Sequence, residues 1–171
     1  MADKKPVAEF PRPRIMDDRR SLPIALLRAR EAVMAYFRPH HRKGGITEQQ
    51  WRVVRVLYLD GEMDAAALAQ RSYLLAPSLS RILKDLEAAG LLVRRPDDED
   101  SRRSLMSLSP KGTAIVTGAG PFLDGIHREI ARRFGPARVQ ELLAMLDELE
   151  RALADPPSER VTKRKAGRKQ K

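Results

Sequence analysis

Between residues 21 and 154 the chain alternates apolar stripes at helical spacing with short polar breaks. Leu26, Leu27, Val33, Met34 and Phe37 fall on one side of a helical wheel. That predicts a first helix over about 21–38, capped by Ser21 and stopped by Pro39. Thr47 with Gln50 forms a capping box, and the helix it opens should reach about Asp60, with Val53, Val54 and Leu57 facing the core. Gly61 turns the chain, Asp64 caps a short helix at 65–71, and Tyr73 lies in the turn beyond it. The next helix carries Pro77 in its first turn, where a missing N–H costs nothing, and Gly90 just past its end, where a left-handed conformation is wanted. Its Leu79, Ile82, Leu83 and Leu86 lie within about 100° of one another at helical pitch.

After Gly90 the pattern shortens. Leu91-Leu92-Val93 and Leu105-Met106-Ser107-Leu108 are strand-like, with a charged loop between them. Ser109-Pro110 opens a long helix to about residue 134, which the Gly118-Ala119-Gly120-Pro121 interruption should bend or loosen. Gly135-Pro136 starts a last helix to about Ala154, where Val139, Leu142, Leu146, Leu149 and Leu153 repeat at 3-4 spacing. Two heptads are short for an autonomous coiled coil but enough for a packed dimer seam; a monomer covering the stripe internally is the alternative.

The expected fold is mainly α with a small β-ribbon: a winged helix-turn-helix with N- and C-terminal dimerisation helices. The boundaries that follow are a disordered N-terminal arm at 1–20, a helical dimerisation region at 21–46 and 110–154, a winged helix-turn-helix at 47–109 and a disordered basic tail at 155–171.

The Pro77 helix sets its chemistry opposite its apolar face. Pro77, Ser80, Arg81 and Lys84 lie there, with Ser78 on the flank. Short hydroxyls let a helix lie close to base edges, Arg pairs bidentately with guanine and Lys holds phosphate. By itself this face is equally an ordinary solvated one. The loop adds weight to the DNA-binding reading. Arg102 and Arg103 at a hairpin tip can place one guanidinium in a minor groove and the other on phosphate. Asp100, two residues earlier, is expected to orient Arg102 through a charge-assisted bond.

Composition bounds the rest. The 171 residues suit one domain with tails. Net charge is +10, but residues 163–171 hold six cations and no acid, and residues 1–20 contribute +2, leaving +2 for residues 21–162. The basicity therefore belongs mostly to the tails, and the last stretch reads as a cationic arm that adds salt-sensitive, non-specific affinity. With no cysteine, disulfides and thiol sensing are excluded. No run of 18 apolar residues occurs and the N-terminus is charged, so a cytoplasmic protein without a membrane partner is expected. His40-His41 lack the further ligands that a metal site needs, and no cofactor is expected.

The segment resembles the MarR family of bacterial transcriptional regulators. The residues that carry the likeness are Pro77-Ser78-Leu79-Ser80-Arg81-Ile82-Leu83, Leu86-Glu87, Gly90-Leu91, Arg94-Arg95, Asp100 with Arg102, Leu108-Ser109 and Gly112. Residues 29–39 and 47–57 are similar, more narrowly, to the branch of homoprotocatechuate-operon repressors, tied to aromatic catabolism. The likeness covers about residues 21–154. It implies a homodimer on double-stranded DNA, with the first helix at the dimer interface beside an effector cleft.

Within that cleft the residues suggest an aromatic acid. Arg30 falls inside the apolar stripe that includes Met34, and a charge there needs a partner. An acid of a second subunit, a carbonyl cluster, a neighbouring Glu or an anionic ligand would all serve. Trp51 and Arg55, at i and i+4 on the side away from the core, offer an aromatic plate beside a cation; simple core packing of Trp51 is the other possibility. The expected function is a ligand-responsive repressor on a palindromic operator, released by a small aromatic or heteroaromatic carboxylate. The rival is an architectural nucleic-acid binder that works through the basic tail. No nucleophile, acid–base pair, phosphate loop or metal set suggests an enzyme.

Overall fold

The computed structural model describes residues 21–100 and 102–154. The proposed arm at 1–20, the tail at 155–171 and Ser101 of the wing lie outside the described residues. Six helices and three strands follow in order. They are α1 (Leu22–Lys43), α2 (Glu48–Asp60), β1 (Met63–Asp64), α3 (Ala65–Arg71), α4 (Ala76–Ala88), β2 (Leu92–Pro96), β3 (Ser104–Leu108), α5 (Pro110–Phe134) and α6 (Pro136–Ala152). The chain divides into two compact units, one ending at Ile126 and the other beginning at His127.

In the first unit the capping chemistry works as expected at two helices. Thr47 Oγ1 accepts from the Gln50 amide and the Gln50 side chain accepts from the Thr47 amide, closing the box that starts α2. Asp64 accepts from the Ala67 amide at 2.8 Å and starts α3. Ser21 occupies the cap position of α1, but its side chain makes no capping bond. The recognition helix begins at Ala76 with Leu75 as cap, so Pro77 sits inside the first turn. Gly61 and Gly90 both take positive φ, 80° and 69°, and let the chain leave α2 and α4 sharply.

Pro39 does not stop α1. The helix runs through it to Lys43, and the expected loop at 39–46 shrinks to four residues. Proline removes one backbone hydrogen bond, and ring packing beyond it offsets that loss. The His40 ring stacks on Phe122 at 4.3 Å between centroids, and the His41 ring lies 6.0 Å from Trp51. Pro121 likewise lies inside a continuous α5.

The sheet is antiparallel in the order β1-β3-β2. Leu92 pairs with Leu108 and Pro96 with Ser104 across the hairpin, while Met63 and Asp64 pair with Met106 and Leu105. The third strand is an addition to the expected ribbon, since a two-residue element leaves no alternation to detect. Met106 is fully buried and is the central residue of β3. Around it Val53, Val54, Leu68, Leu79, Ile82, Leu83, Leu86 and Leu92 form one core, to which α5 adds Val116 and Ala119.

The join between wing and α5 is tight. Ser109 Oγ donates to the Gly90 carbonyl at 2.7 Å and accepts from the Gly112 amide at 3.0 Å. A Cβ on Gly112 would lie 2.1 Å from the Leu91 carbonyl oxygen, so no other residue fits without backbone movement. Ser109 and Gly112 are thus where α5 is fastened to the end of the recognition helix.

In the second unit α6 has no buried residue, and Leu142, Leu143, Met145 and Leu153 remain exposed. Its entry is shaped by Gly135 at φ 100° and by Arg138, whose guanidinium sits 4.4 Å from the Phe134 ring centre.

Candidate nucleic-acid interface

Helix α4 separates cleanly into two faces. Leu79, Ile82, Leu83 and Leu86 are buried, while Pro77, Ser78, Ser80, Arg81 and Lys84 are exposed. Ser80 Oγ turns back to the Ala76 carbonyl at 3.1 Å, which keeps that side chain close to the helix. Among the described residues neither Arg81 nor Lys84 forms an ion pair. Two free cations among short side chains therefore face outward from a helix whose other face is held by the core.

Ion pairs hold the wing in place. Arg95 meets Glu62 at 2.6 Å and Asp98 at 3.0 Å, and Arg94 meets Glu87 at 2.7 Å. Arg103 reaches Asp64 at 2.9 Å. The Asp64 carboxyl is held below its ordinary pKa, chiefly by the Ala67 amide, with Arg103 adding to it. Each exposed pair contributes little alone, but together they fasten the hairpin to α4 and to the start of α3.

The expected role of Asp100 is corrected here. Its Oδ1 accepts from the Arg102 backbone amide at 3.0 Å and its carbonyl accepts from the Arg103 amide at 2.8 Å. It shapes the turn rather than the guanidinium, because a residue two positions back is better placed for an amide than for a long side chain. Arg102 is exposed and, among the described residues, has no ion-pair partner, whereas Arg103 is tied to Asp64.

Behind the interface lies the region expected to take an effector. Arg30 is exposed and pairs with Glu31 at 2.8 Å and with Glu48. A neighbouring Glu thus fills the partner role within one chain. Met34 is half-buried and Arg55 exposed. Trp51 is only 7% exposed and belongs to the core. The expected placement on the side away from the core fails because α1 continues past Pro39 and brings His40 and His41 onto the indole.

Sequence reasoning missed Arg52. It pairs with Glu48 at 3.4 Å and donates to the carbonyls of Ser72, at 3.1 Å, and Tyr73, at 3.4 Å. Those carbonyls belong to the turn that leads into α4, where Tyr73 has a positive φ of 52°. Burial, followed by the charge of Arg30, lowers the Arg52 pKa. The available signal was the Glu48–Arg52 spacing of i,i+4 with the acid first. A cleft of about 350 Å³ has Arg30, Glu48, Arg52, Arg81 and Asp85 among its lining residues, so it borders α1, α2 and the recognition helix together.

Among the described residues no cluster of three or more His, Asp or Glu could hold a metal ion, and no helix is long and apolar enough to cross a membrane.

A core-backed helix with a bare cationic face, flanked by a fastened hairpin with a free arginine, defines a winged helix-turn-helix DNA-binding protein. Comparison with known proteins narrows this. The MarR family pattern matches residues 44–103. A homoprotocatechuate degradative operon repressor of Escherichia coli is 41% identical over 128 residues, 75% of this chain and 86% of that protein. The crystal structure of the transcriptional regulator PA4135 has a TM-score of 0.75 at 38% identity, covering 77% of this chain and 96% of the other. A crystal structure of NadR in complex with 4-hydroxyphenylacetate has a TM-score of 0.68 at 38% identity, covering 75% and 92%. The chain belongs to the MarR family.

Proposed function

We propose that this chain is a cytoplasmic, homodimeric repressor that binds a palindromic operator and is released by a small aromatic or heteroaromatic carboxylate, in the setting of aromatic catabolism. The observation that carries the DNA half is the split of α4 between a buried apolar face and an exposed row of Pro77, Ser78, Ser80, Arg81 and Lys84. Arg81 reads a base, Lys84 holds phosphate, and Arg102 enters the flanking groove while Asp100 and Arg103 set the wing. Two-fold symmetry puts two such helices one DNA turn apart, which a palindrome matches. The dimer is made by residues 21–46 and 110–154. Support comes from the exposed Leu22, Leu26, Leu27 and Val33 on α1 and the open apolar side chains of α6. The chain acts by binding rather than by catalysis.

The effector reading places a ligand carboxylate on Arg30, in competition with Glu48, and an aromatic ring near Met34, Trp51 and Arg55. Withdrawing Arg30 leaves Glu48 to Arg52 alone. Arg52 also holds the turn before α4, so a route from ligand to reading head is available. Release is then a population shift towards a spacing of the two heads that no longer fits the grooves. The relative that binds 4-hydroxyphenylacetate and the operon repressor of homoprotocatechuate breakdown support the choice of ligand class.

Footprinting on the chain's own upstream DNA tests the repressor reading, with and without residues 163–171. A bounded, two-fold footprint should persist without the tail and vanish on adding the aromatic acid. A footprint that needs the tail and shows no sequence preference overturns it in favour of the architectural binder.

A further inference from the structure

The two most exposed large hydrophobic side chains among the described residues flank Leu74 in the turn before the recognition helix: Leu75 at 78% and Tyr73 at 73%. That turn is firmly held. Arg52 donates to the Ser72 and Tyr73 carbonyls, the buried Ser72 hydroxyl donates to the Leu68 carbonyl at 2.5 Å, and the Leu74 amide donates to the Ala69 carbonyl at 3.0 Å. Among the described residues Tyr73 is the one non-glycine position with a positive φ, 52°. A bulky residue keeps that conformation only where its surroundings impose it. Leu74 then packs against the core, and the extended backbone of Leu75, with φ −70° and ψ 141°, turns the next side chain outward.

Leu75 occupies the N-cap position of α4 and forms no capping bond. Leucine is among the poorest residues there, because it offers the free amides no acceptor. Ala76 and Pro77 beyond it are exposed as well, so the first polar side chain of the helix is Ser78. A recognition helix directs its N-terminal residues at base edges. In α4 that end is apolar over three residues, and the cations Arg81 and Lys84 come only further along. The base edges of the major groove carry hydrogen-bonding groups and one methyl group, on C5 of thymine. That methyl is the partner an uncharged, apolar tip fits; a phosphate is not.

We propose that the tip Leu75-Ala76-Pro77 reads thymine methyl groups in the major groove, with Leu75 as the specificity-determining contact. The inference rests on the DNA-binding reading of α4 above, with whose exposed row the tip is continuous, and adds a base preference to it. Each half-site carries thymine where the start of α4 enters, and Arg81 reads further along.

Titration of the full chain against the duplex bounded by its own footprint tests this, with deoxyuridine replacing thymidine one symmetric pair at a time. Uracil keeps every hydrogen-bonding edge and deletes only the methyl. At one pair of positions the wild-type chain should lose about 4-fold in affinity for each methyl removed. Leu75→Ala should bind the thymine duplex more weakly and lose that sensitivity, with an unchanged salt dependence because no phosphate contact goes. Leu75→Ser should behave alike while melting no lower than the parent, since serine caps a helix better than leucine; it serves where the alanine variant fails to fold. Wild-type affinity indifferent to every thymine, or a sensitivity that survives in both variants, overturns the role of Leu75 and leaves the DNA-binding reading standing. A Leu75→Ser chain that melts lower or sediments as a smaller species assigns the residue to folding or subunit contact and overturns it too. A wild-type chain that leaves no bounded footprint overturns the DNA-binding reading itself.

Discussion

In the winged head Leu68, Leu79, Leu86 and Met106 are at most 2% exposed, whereas along α6 no residue is buried and Leu142, Leu143, Met145 and Leu153 stay 43–65% exposed. Helix α1 resembles α6 in its open apolar side chains, with Leu22, Leu26, Leu27 and Val33 all exposed, although His41 near its end is buried. The two regions have comparable apolar side chains but opposite outcomes. The head closes its core within one chain, using caps, a three-stranded sheet and the Ser109–Gly112 clasp. Among the described residues the flanking helices each carry open apolar side chains, and such surface marks an interaction site. The contrast separates what folds from what assembles, and it can be attacked from either side.

The largest effect is expected inside the head. Gly112→Ala drives a methyl group into the Leu91 carbonyl and should cost about 3 kcal/mol or more, at the upper end of overpacking. Urea denaturation should show the loss, and operator binding should fall with it. An unchanged midpoint would mean that the wing and α5 are not clasped as described. Second comes the assembling surface. Leu27→Glu on α1 or Leu142→Glu on α6 should yield a monomer by sedimentation and weaken operator binding about 100-fold, the ~2–4 kcal/mol typical of an interface anchor. Helix content measured by circular dichroism should stay near that of the parent. A variant that remains dimeric removes that helix from the interface.

A smaller effect is expected at the DNA. Arg102→Ala should cost about 1–3 kcal/mol of specific affinity, while Lys84→Ala should weaken all sequences alike and flatten the salt dependence. Equal loss on specific and random duplex for Arg102→Ala would demote the wing to a phosphate contact. The smallest effect lies at the end of α5. Glu129 is clasped by Arg132 at 2.8 Å and Arg133 at 2.5 Å and titrates at about 2 rather than 4.5. A depressed carboxyl stabilises the fold fully above pH 4.5 and loses that contribution as pH falls towards 2. Melting curves across that window should be slightly flatter for Glu129→Gln than for the parent. Identical slopes would show that the pairs persist in the unfolded chain.

Much of this was legible in the residues themselves. The capping box at Thr47, the Asp64 cap, the two faces of α4 and the ends at Gly90 and Gly135 all depend on neighbours a few positions apart, and local periodicity reports them faithfully. The outward row of candidate DNA contacts came from the same 3.6-residue repeat. What stayed hidden needed partners far along the chain. Arg103 finds Asp64 across 39 positions, Arg52 finds the Ser72 carbonyl across 20, and β1 exists only because β3 lies beside it.

Sequence alone therefore determined where helices begin, which of their faces are apolar and which cations the recognition helix carries, because these are short-range consequences of backbone capping and side-chain spacing. Tertiary structure decided that Pro39 fails to end α1, that Trp51 is core and that His41 is shut away without a partner. Each of these depends on which surfaces meet when α1, α2 and α5 pack, and that packing energy outweighs the local preference of a single proline.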